Sequence, residues 1–254
     1  MIGIFDSGSG GLSVFREIVK LLPEEKYIYF ADNAFCPYGE KTAEFIQGRA
    51  RVITDYLLEN GTDIIVVACN TATAAAIATL RKEYKVKFIG MEPAVKPAAL
   101  SSRTGVIGVL ATAGTLNGPK YLTTKGLYQD NVQIAECVGK GFVELVERGI
   151  LEGPEAEETV RASLQSLLDK GADRIVLGCT HYPFLRDVIQ RIAGPGVQVI
   201  DPAPAVARHL QDVMTKEGLI RSDAVPPFPD VTLEASGDPE QAQKILKRII
   251  SGNN

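Results

Sequence analysis

The sequence is poor in the residues that build metal and disulfide centres. It has two histidines and four cysteines in 254 residues, with no C-x-x-C pair, so no spacing marks a zinc site. The cysteines are Cys36, Cys69, Cys137 and Cys179. The start, Met1-Ile2-Gly3-Ile4-Phe5-Asp6, lacks the basic and long apolar regions of a signal peptide. No stretch approaches the roughly 18 uncharged apolar residues of a membrane span. A cytoplasmic location with no membrane partner is therefore expected, and thiols there stay reduced rather than forming a disulfide framework. The net charge is −4 and no run of Lys and Arg occurs, which argues against a nucleic-acid partner. It leaves an anionic small molecule open, because a pocket can be locally positive in an acidic protein. The four thiols are then either packed core residues or reactive ones.

What is present is an ordinary globular composition, 45% apolar and 23% charged, long enough for one large domain or two modest ones. Short Val- and Ile-rich runs at 1–5, 27–30, 64–68, 88–91, 106–110, 132–135, 175–178 and 197–200 lack polar alternation. That is the pattern of strands covered on both faces. Helical segments are expected at 12–22, 40–60, 71–84, 154–170, 183–192, 203–216 and 239–250, the last with Asp238 as N-cap and Pro239 in the first turn. The alternation predicts an α/β fold with mainly parallel sheets.

An internal repeat sharpens this. Residues 57–69, ending Gly61-Thr62-Asp63-Ile64-Ile65-Val66-Val67-Ala68-Cys69, match 167–179, ending Gly171-Ala172-Asp173-Arg174-Ile175-Val176-Leu177-Gly178-Cys179, at a constant offset of 110. A weaker echo pairs Gly3-Ile4-Phe5-Asp6-Ser7 with Gly108-Val109-Leu110-Ala111-Thr112. Two similar α/β domains are expected, one from residues 1–94 plus 205–254 and the other from 95–204.

In open α/β sheets, ligands bind beyond the carboxyl ends of the strands. Four polar clusters fall there: Asp6-Ser7-Gly8-Ser9-Gly10-Gly11, Pro37-Tyr38-Gly39, Cys69-Asn70-Thr71 and Cys179-Thr180-His181. The glycine-rich loop lacks the G-x-G-x-x-G spacing and a following Lys-Ser/Thr, so it reads as an anion cradle rather than a nucleotide loop. Asp6 could act in the site or cap the helix after it. A lone buried Cys is usually an inert hydrophobe. Cys69 and Cys179, however, end equivalent strands of the repeat and precede small polar residues that would open helices. Helix-start N–H groups lower a thiol's pKa and suit a carboxylate. Two sulfurs on opposite sides of one carbon point to two-base proton transfer, with Asp6 and His181 as assistants. Glu147 reads on spacing alone as a solvated helix end.

Together these four motifs, with Ser236-Gly237-Asp238-Pro239 near the end, resemble the glutamate racemases of bacterial cell-wall synthesis, within the aspartate/glutamate racemase superfamily. The resemblance implies two α/β domains about a pseudo-twofold axis with the active site between them. It implies Cys69 and Cys179 as the acid/base pair, and Asp6, Ser7, Pro37, Tyr38, Gly39, Asn70, Thr71, Thr112, Thr115, Thr180 and His181 as substrate-binding or supporting residues. Glu147 matches an acidic residue near the second cysteine. No pyridoxal phosphate, other cofactor or metal is implied; glutamate is the implied substrate, D-glutamate for peptidoglycan the product, and a homodimer the implied assembly. A racemase of aspartate or another amino acid, or a non-catalytic amino-acid-binding protein, are the other readings. The sequence departs from the family at Ala31-Asp32-Asn33-Ala34-Phe35-Cys36, at Met91-Glu92-Pro93-Ala94 and at Asp201-Pro202-Ala203, and places Phe35 and Cys36 at the expected pocket rim.

Overall fold

The computed structural model describes residues 1–221 and 229–251. Nine strands appear among them: β1 Ile2–Asp6, β2 Lys26–Ala31, β3 Ile64–Val67, β4 Lys87–Ile89, β5 Val106–Ala111, β6 Gln133–Val138, β7 Arg174–Gly178, β8 Gln198–Ile200 and β9 Asp230–Ala235. The helices are α1 Leu12–Leu21, α2 Ala43–Glu59, α3 Asn70–Glu83, α4 Val95–Ser101, α5 Ala113–Leu116, α6 Pro119–Tyr128, α7 Phe142–Glu147, α8 Pro154–Leu168, α9 Arg186–Ala193, α10 Ala203–Glu217 and α11 Glu240–Ile250.

The strands form two sheets, ordered β4-β3-β1-β2-β9 and β6-β5-β7-β8, and all pairings are parallel. Read from its other edge, the second sheet is β8-β7-β5-β6, the first sheet's order with each number raised by four. The repeat seen in sequence is therefore a repeat of topology, with β9 added at the edge of the first sheet. β1, β3 and β7 are buried at every position, as parallel strands covered by helices on both faces must be. Each sheet lies between two apolar clusters. One holds Ile4, Phe15 and Leu210 and another Phe5, Ile53 and Leu80, both packed on the first sheet. Leu164 and Leu177 lie in a third and Val109 and Val176 in a fourth, packed on the second.

The expected elements are present with shifted ends. The helix expected at 40–60 starts at Ala43, behind a 3₁₀ turn at Tyr38–Glu40, because Thr42 caps it by accepting from the Phe45 N–H at 3.2 Å. The helix expected at 183–192 is a 3₁₀ turn, Tyr182–Leu185, followed by α9. In α11 the N-cap is Pro239, but the Asp238 carboxylate still accepts from the Glu240 N–H at 2.9 Å. Unforeseen elements are β9 and the short helices α4, α5, α6 and α7. β9 reads Asp-Val-Thr-Leu-Glu-Ala, half polar because it lies at an edge, so it lacks the apolar run that marks an interior strand. Among the described residues no helix is long and apolar enough to cross a membrane.

Candidate active site

β3 delivers Cys69 to the start of α3. Its sulfur caps that helix, accepting from the Ala72 N–H at 3.4 Å, and its thiol donates to Ser7 Oγ at 3.9 Å. The helix-start environment expected from sequence is thus present, but the acidified thiol is not. Burial pushes Cys69 well above the usual thiol range, negative charge on Asp6 pushes the same way, and the Ala72 N–H opposes without prevailing. Desolvation of a fully enclosed sulfur outweighs one helix N-terminus.

Cys179 is placed differently, and the expected pair of matched helix starts is not found. β7 runs into a turn at Cys179, Thr180 and His181, then the 3₁₀ turn, and α9 begins only at Arg186. The Cys179 sulfur faces His181 Nδ1 at 3.8 Å, and His181 Nε2 lies 2.6 Å from Glu147 Oε1. Burial pulls His181 down, but hydrogen bonding with the Cys179 and Cys36 sulfurs and the Glu147 carboxylate outweighs it and holds the ring's value well above ordinary. Glu147 is opposed by its own desolvation, yet the bond and charge of His181 and two bonds from Ser9 hold it below the usual carboxylate range. Glu147 is therefore no solvated helix end. A Cys–His–Glu line, with His181 and Glu147 as an ion pair, stands at one strand end, and a capped thiol at the equivalent end of the other sheet.

The sign of each shift fixes a stability window. The raised His181 contributes stability that is complete below its ordinary 6.5 and is lost as pH rises through the folded value; the lowered Glu147 contributes above its ordinary 4.5 and is lost as pH falls through its folded value. Glu147→Gln is expected to destabilise most between roughly pH 4.5 and 6.5, checked by denaturant midpoints of the variant and wild type across pH. An equal difference at all pH values would show that the pair is not ionised.

The glycine loop is an anion cradle, but the anions are the chain's own. The Ser9 N–H donates to Glu147 Oε1 at 2.7 Å and its hydroxyl to the same oxygen at 3.1 Å, while the Gly11 N–H donates to Asp6 Oδ2 at 2.7 Å. Ser7 of this loop still faces the cavity between the halves, while Ser9 seats the second half's Cys–His–Glu line on the first half. Ser13, in α1, adds a bond from its hydroxyl to the Thr180 carbonyl at 2.8 Å. The glycines give the carboxylate and ring room. A Cβ on Gly8 would fall 2.3 Å from Glu147 Oε1, and one on Gly10 would fall 2.3 Å from His181 Nδ1. Gly10→Ala is expected to displace the imidazole and lower kcat about tenfold with KM little changed; steady-state kinetics at constant pH checks this.

Asp6 is fully buried and also within 3.5 Å of the Ser7 and Thr180 hydroxyls. Burial raises its value, against the charge of His181 and the Gly11 N–H. It both caps the α1 loop and borders Cys69. Tyr38 donates its hydroxyl to Asp32, which also accepts from Arg49 Nε at 2.9 Å and Arg49 Nη2 at 2.7 Å. The Arg49 guanidinium in turn stacks over Phe35, 4.2 Å from the ring centre. Thr71, Thr112 and Thr115 join their hydroxyls at 2.8, 3.0 and 3.4 Å across the two halves. Asn70 is buried, and neither polar atom of its side chain has a hydrogen-bond partner among the described residues, the state of a group reserved for something else.

Ser7, Pro37, Tyr38, Gly39, Cys69, Asn70, Thr71, Thr112, Cys179, Thr180 and His181 line one cavity between the halves, joined by Val143. Its volume is about 10 Å³, room for about one water and less than an amino acid occupies. Asp6, Thr115 and Glu147 stand behind this lining. Phe35 and Cys36, expected at its rim, do not line it; Phe35 packs on Arg49 and Phe45. Sequence reasoning missed Val143, Ser13, Asp32 and Arg49, and placed Ser9 in an anion cradle without its partner Glu147. Only Asp32 carried a signal, its place just after a buried strand at the sheet's carboxyl edge.

The Asp/Glu/Hydantoin racemase family matches residues 2–210. The glutamate racemase of Methylococcus capsulatus is 48% identical over 225 residues, covering 89% of this chain and 83% of its own. That of Ectopseudomonas mendocina is 44% identical, covering 98% and 94%. Among solved structures, a glutamate racemase isoform of Bacillus anthracis superposes with a TM-score of 0.87 at 29% identity, over 99% of this chain and 94% of that one. The Escherichia coli glutamate racemase, solved with L-glutamate and the activator UDP-MurNAc-Ala, superposes with a TM-score of 0.84 at 32% identity, over 98% and 94%. The chain belongs to the Asp/Glu/Hydantoin racemase family and stands among its glutamate racemases.

Proposed function

We propose that this chain interconverts L-glutamate and D-glutamate, moving the α-proton between Cys69 and Cys179 with its own side chains and no pyridoxal phosphate. One observation carries the reading: two cysteines that end equivalent strands of a repeated fold line the same cavity. In one direction a thiolate at one sulfur takes the α-proton, leaving a planar carbanion. The thiol opposite then gives its proton to the other face. The first sulfur ends as thiol and the second as thiolate, so protons balance and the enzyme is set for the reverse turnover. The first turn of α3 and the unpartnered Asn70 amide suit the substrate's α-carboxylate, and the Thr71–Thr112–Thr115 hydroxyls suit a second polar group of the substrate. His181 holds positive charge next to Cys179, Glu147 holds His181, and Asp6 borders Cys69; these three are positioning residues.

D-glutamate supply for peptidoglycan, a cytoplasmic location and a homodimer follow from the same family reading. The division into domains at 1–94 plus 205–254 and 95–204 rests instead on the internal repeat. The test is incubation of metal-free, cofactor-free protein with L-glutamate in heavy water. Deuterium should enter the α-position while optical rotation decays. Absence of both defeats the proposal, as does faster exchange with aspartate than with glutamate. Binding of glutamate without exchange would mark an amino-acid-binding protein instead.

A further inference from the structure

Around His181 lies a donor cluster that the racemisation does not fully use. Cys36, Glu147 and His181 each place a ligand-type atom within 4.8 Å of the other two. They come from the turn after the 3₁₀ segment Asn33–Phe35, the end of α7 and the loop after β7, so no sequence spacing could mark them. Thiolate, imidazole and carboxylate are the donors that zinc takes, at about 2.0–2.3 Å. Tetrahedral edges for such lengths are about 3.3–3.7 Å, within reach of small side-chain rotations. The cluster also has an approach of its own. Cys36 and Glu147 line a cavity of about 460 Å³ separate from the closed catalytic one. Its rim carries Glu144, Asp238 and Glu240 against Arg148 and Lys244, an acidic excess that concentrates cations. The cysteines of the catalytic cavity, with room for about one water, have no such access in the closed form.

We propose that Cys36, Glu147 and His181 bind a divalent zinc-type cation, and that the bound cation reversibly switches racemisation off by withdrawing His181 and Glu147 from Cys179. The Cys36 thiol and the His181 imidazolium each release one proton to water, Glu147 contributes its carboxylate, and water completes four-coordination. The switching part rests on the proposed role of His181 in racemisation; the binding part does not.

The test joins a spectrum to a rate. Titration of the metal-free protein with Co²⁺ is expected to give a sulfur-to-cobalt charge-transfer band that saturates at one equivalent and is displaced by Zn²⁺. In Cys36→Ala and Cys36→Ser, each checked for folding by circular dichroism, that band is expected to vanish. Zn²⁺ is expected to inhibit the wild type and EDTA to restore it, with the half-inhibiting concentration rising about 10–100-fold in both variants. A band and inhibition unchanged in the variants would place the metal on another of the chain's cysteines and overturn the proposal. Absence of the band in the wild type would overturn it too, and full activity with the band saturated would overturn the switch. A Cys36-dependent band in a protein that never racemises glutamate would sustain the site and refute the proposed activity instead.

Discussion

Cys69→Ser and Cys179→Ser are each expected to lower kcat for racemisation by about 10³–10⁴-fold, near the upper range for a positioned acid or base. A serine hydroxyl fits either site but does not ionise there, so one of the two proton transfers is lost. The loss is selective in a way that a folding defect is not. The remaining sulfur can still take the α-proton from the enantiomer whose hydrogen it faces, and return solvent deuterium to that same face. Each variant is therefore expected to exchange the α-hydrogen of one enantiomer without inverting it, and the two variants to choose opposite enantiomers. Exchange in heavy water followed by chiral separation checks this. Full racemase activity in either variant would defeat the two-base scheme, and identical enantiomer choice would show that the sulfurs do not lie on opposite faces.

Asp6→Asn is expected to cost about 10²-fold in kcat with a smaller change in KM. The carboxylate is fully buried and anchored by the Gly11 N–H at 2.7 Å. An amide keeps the volume but can present an N–H to that donor or lose the bond. The pH profile separates this from simple misplacement. Burial first, and then the negative charge on Asp6, hold Cys69 above its ordinary value. Removing the charge leaves burial in place and lets the thiol ionise at lower pH. The Cys69-dependent limb of the kcat/KM profile is therefore expected to move to lower pH even as the plateau falls. A limb that moves up, or a plateau that does not fall, would contradict this role.

The sheets were legible because parallel strands buried on both faces are written as unbroken Val and Ile runs, and a strand such as Ile64–Val67 has no other reading. β9 was not, since an edge strand keeps polar residues. α5 and α7 were not, at four and six residues, too short for a period to show. The site divided along a similar line. Cys69, Asn70 and Thr71 sit at a strand-to-helix junction that local sequence specifies. Glu147 lies 34 positions from His181 and 138 from Ser9, so it was found by resemblance alone and only folding brings it to them. The acidified helix-start thiol failed for a related reason. Neighbours in sequence supply the N–H groups, but enclosure by both halves determines the desolvation, and enclosure is not local.

The seat that the glycine loop gives Glu147 ties access to reactivity. One side of that contact belongs to the first half and the other to the second, and the cavity between them is smaller than an amino acid. Parting the two halves would stretch the Ser9 bonds to Glu147, loosen the carboxylate from His181, and weaken the positive charge beside Cys179. Closure would thus arm the site, because its acid–base line is complete only where both halves contribute to it. Parted, the same side chains would abstract protons poorly from whatever else drifts in.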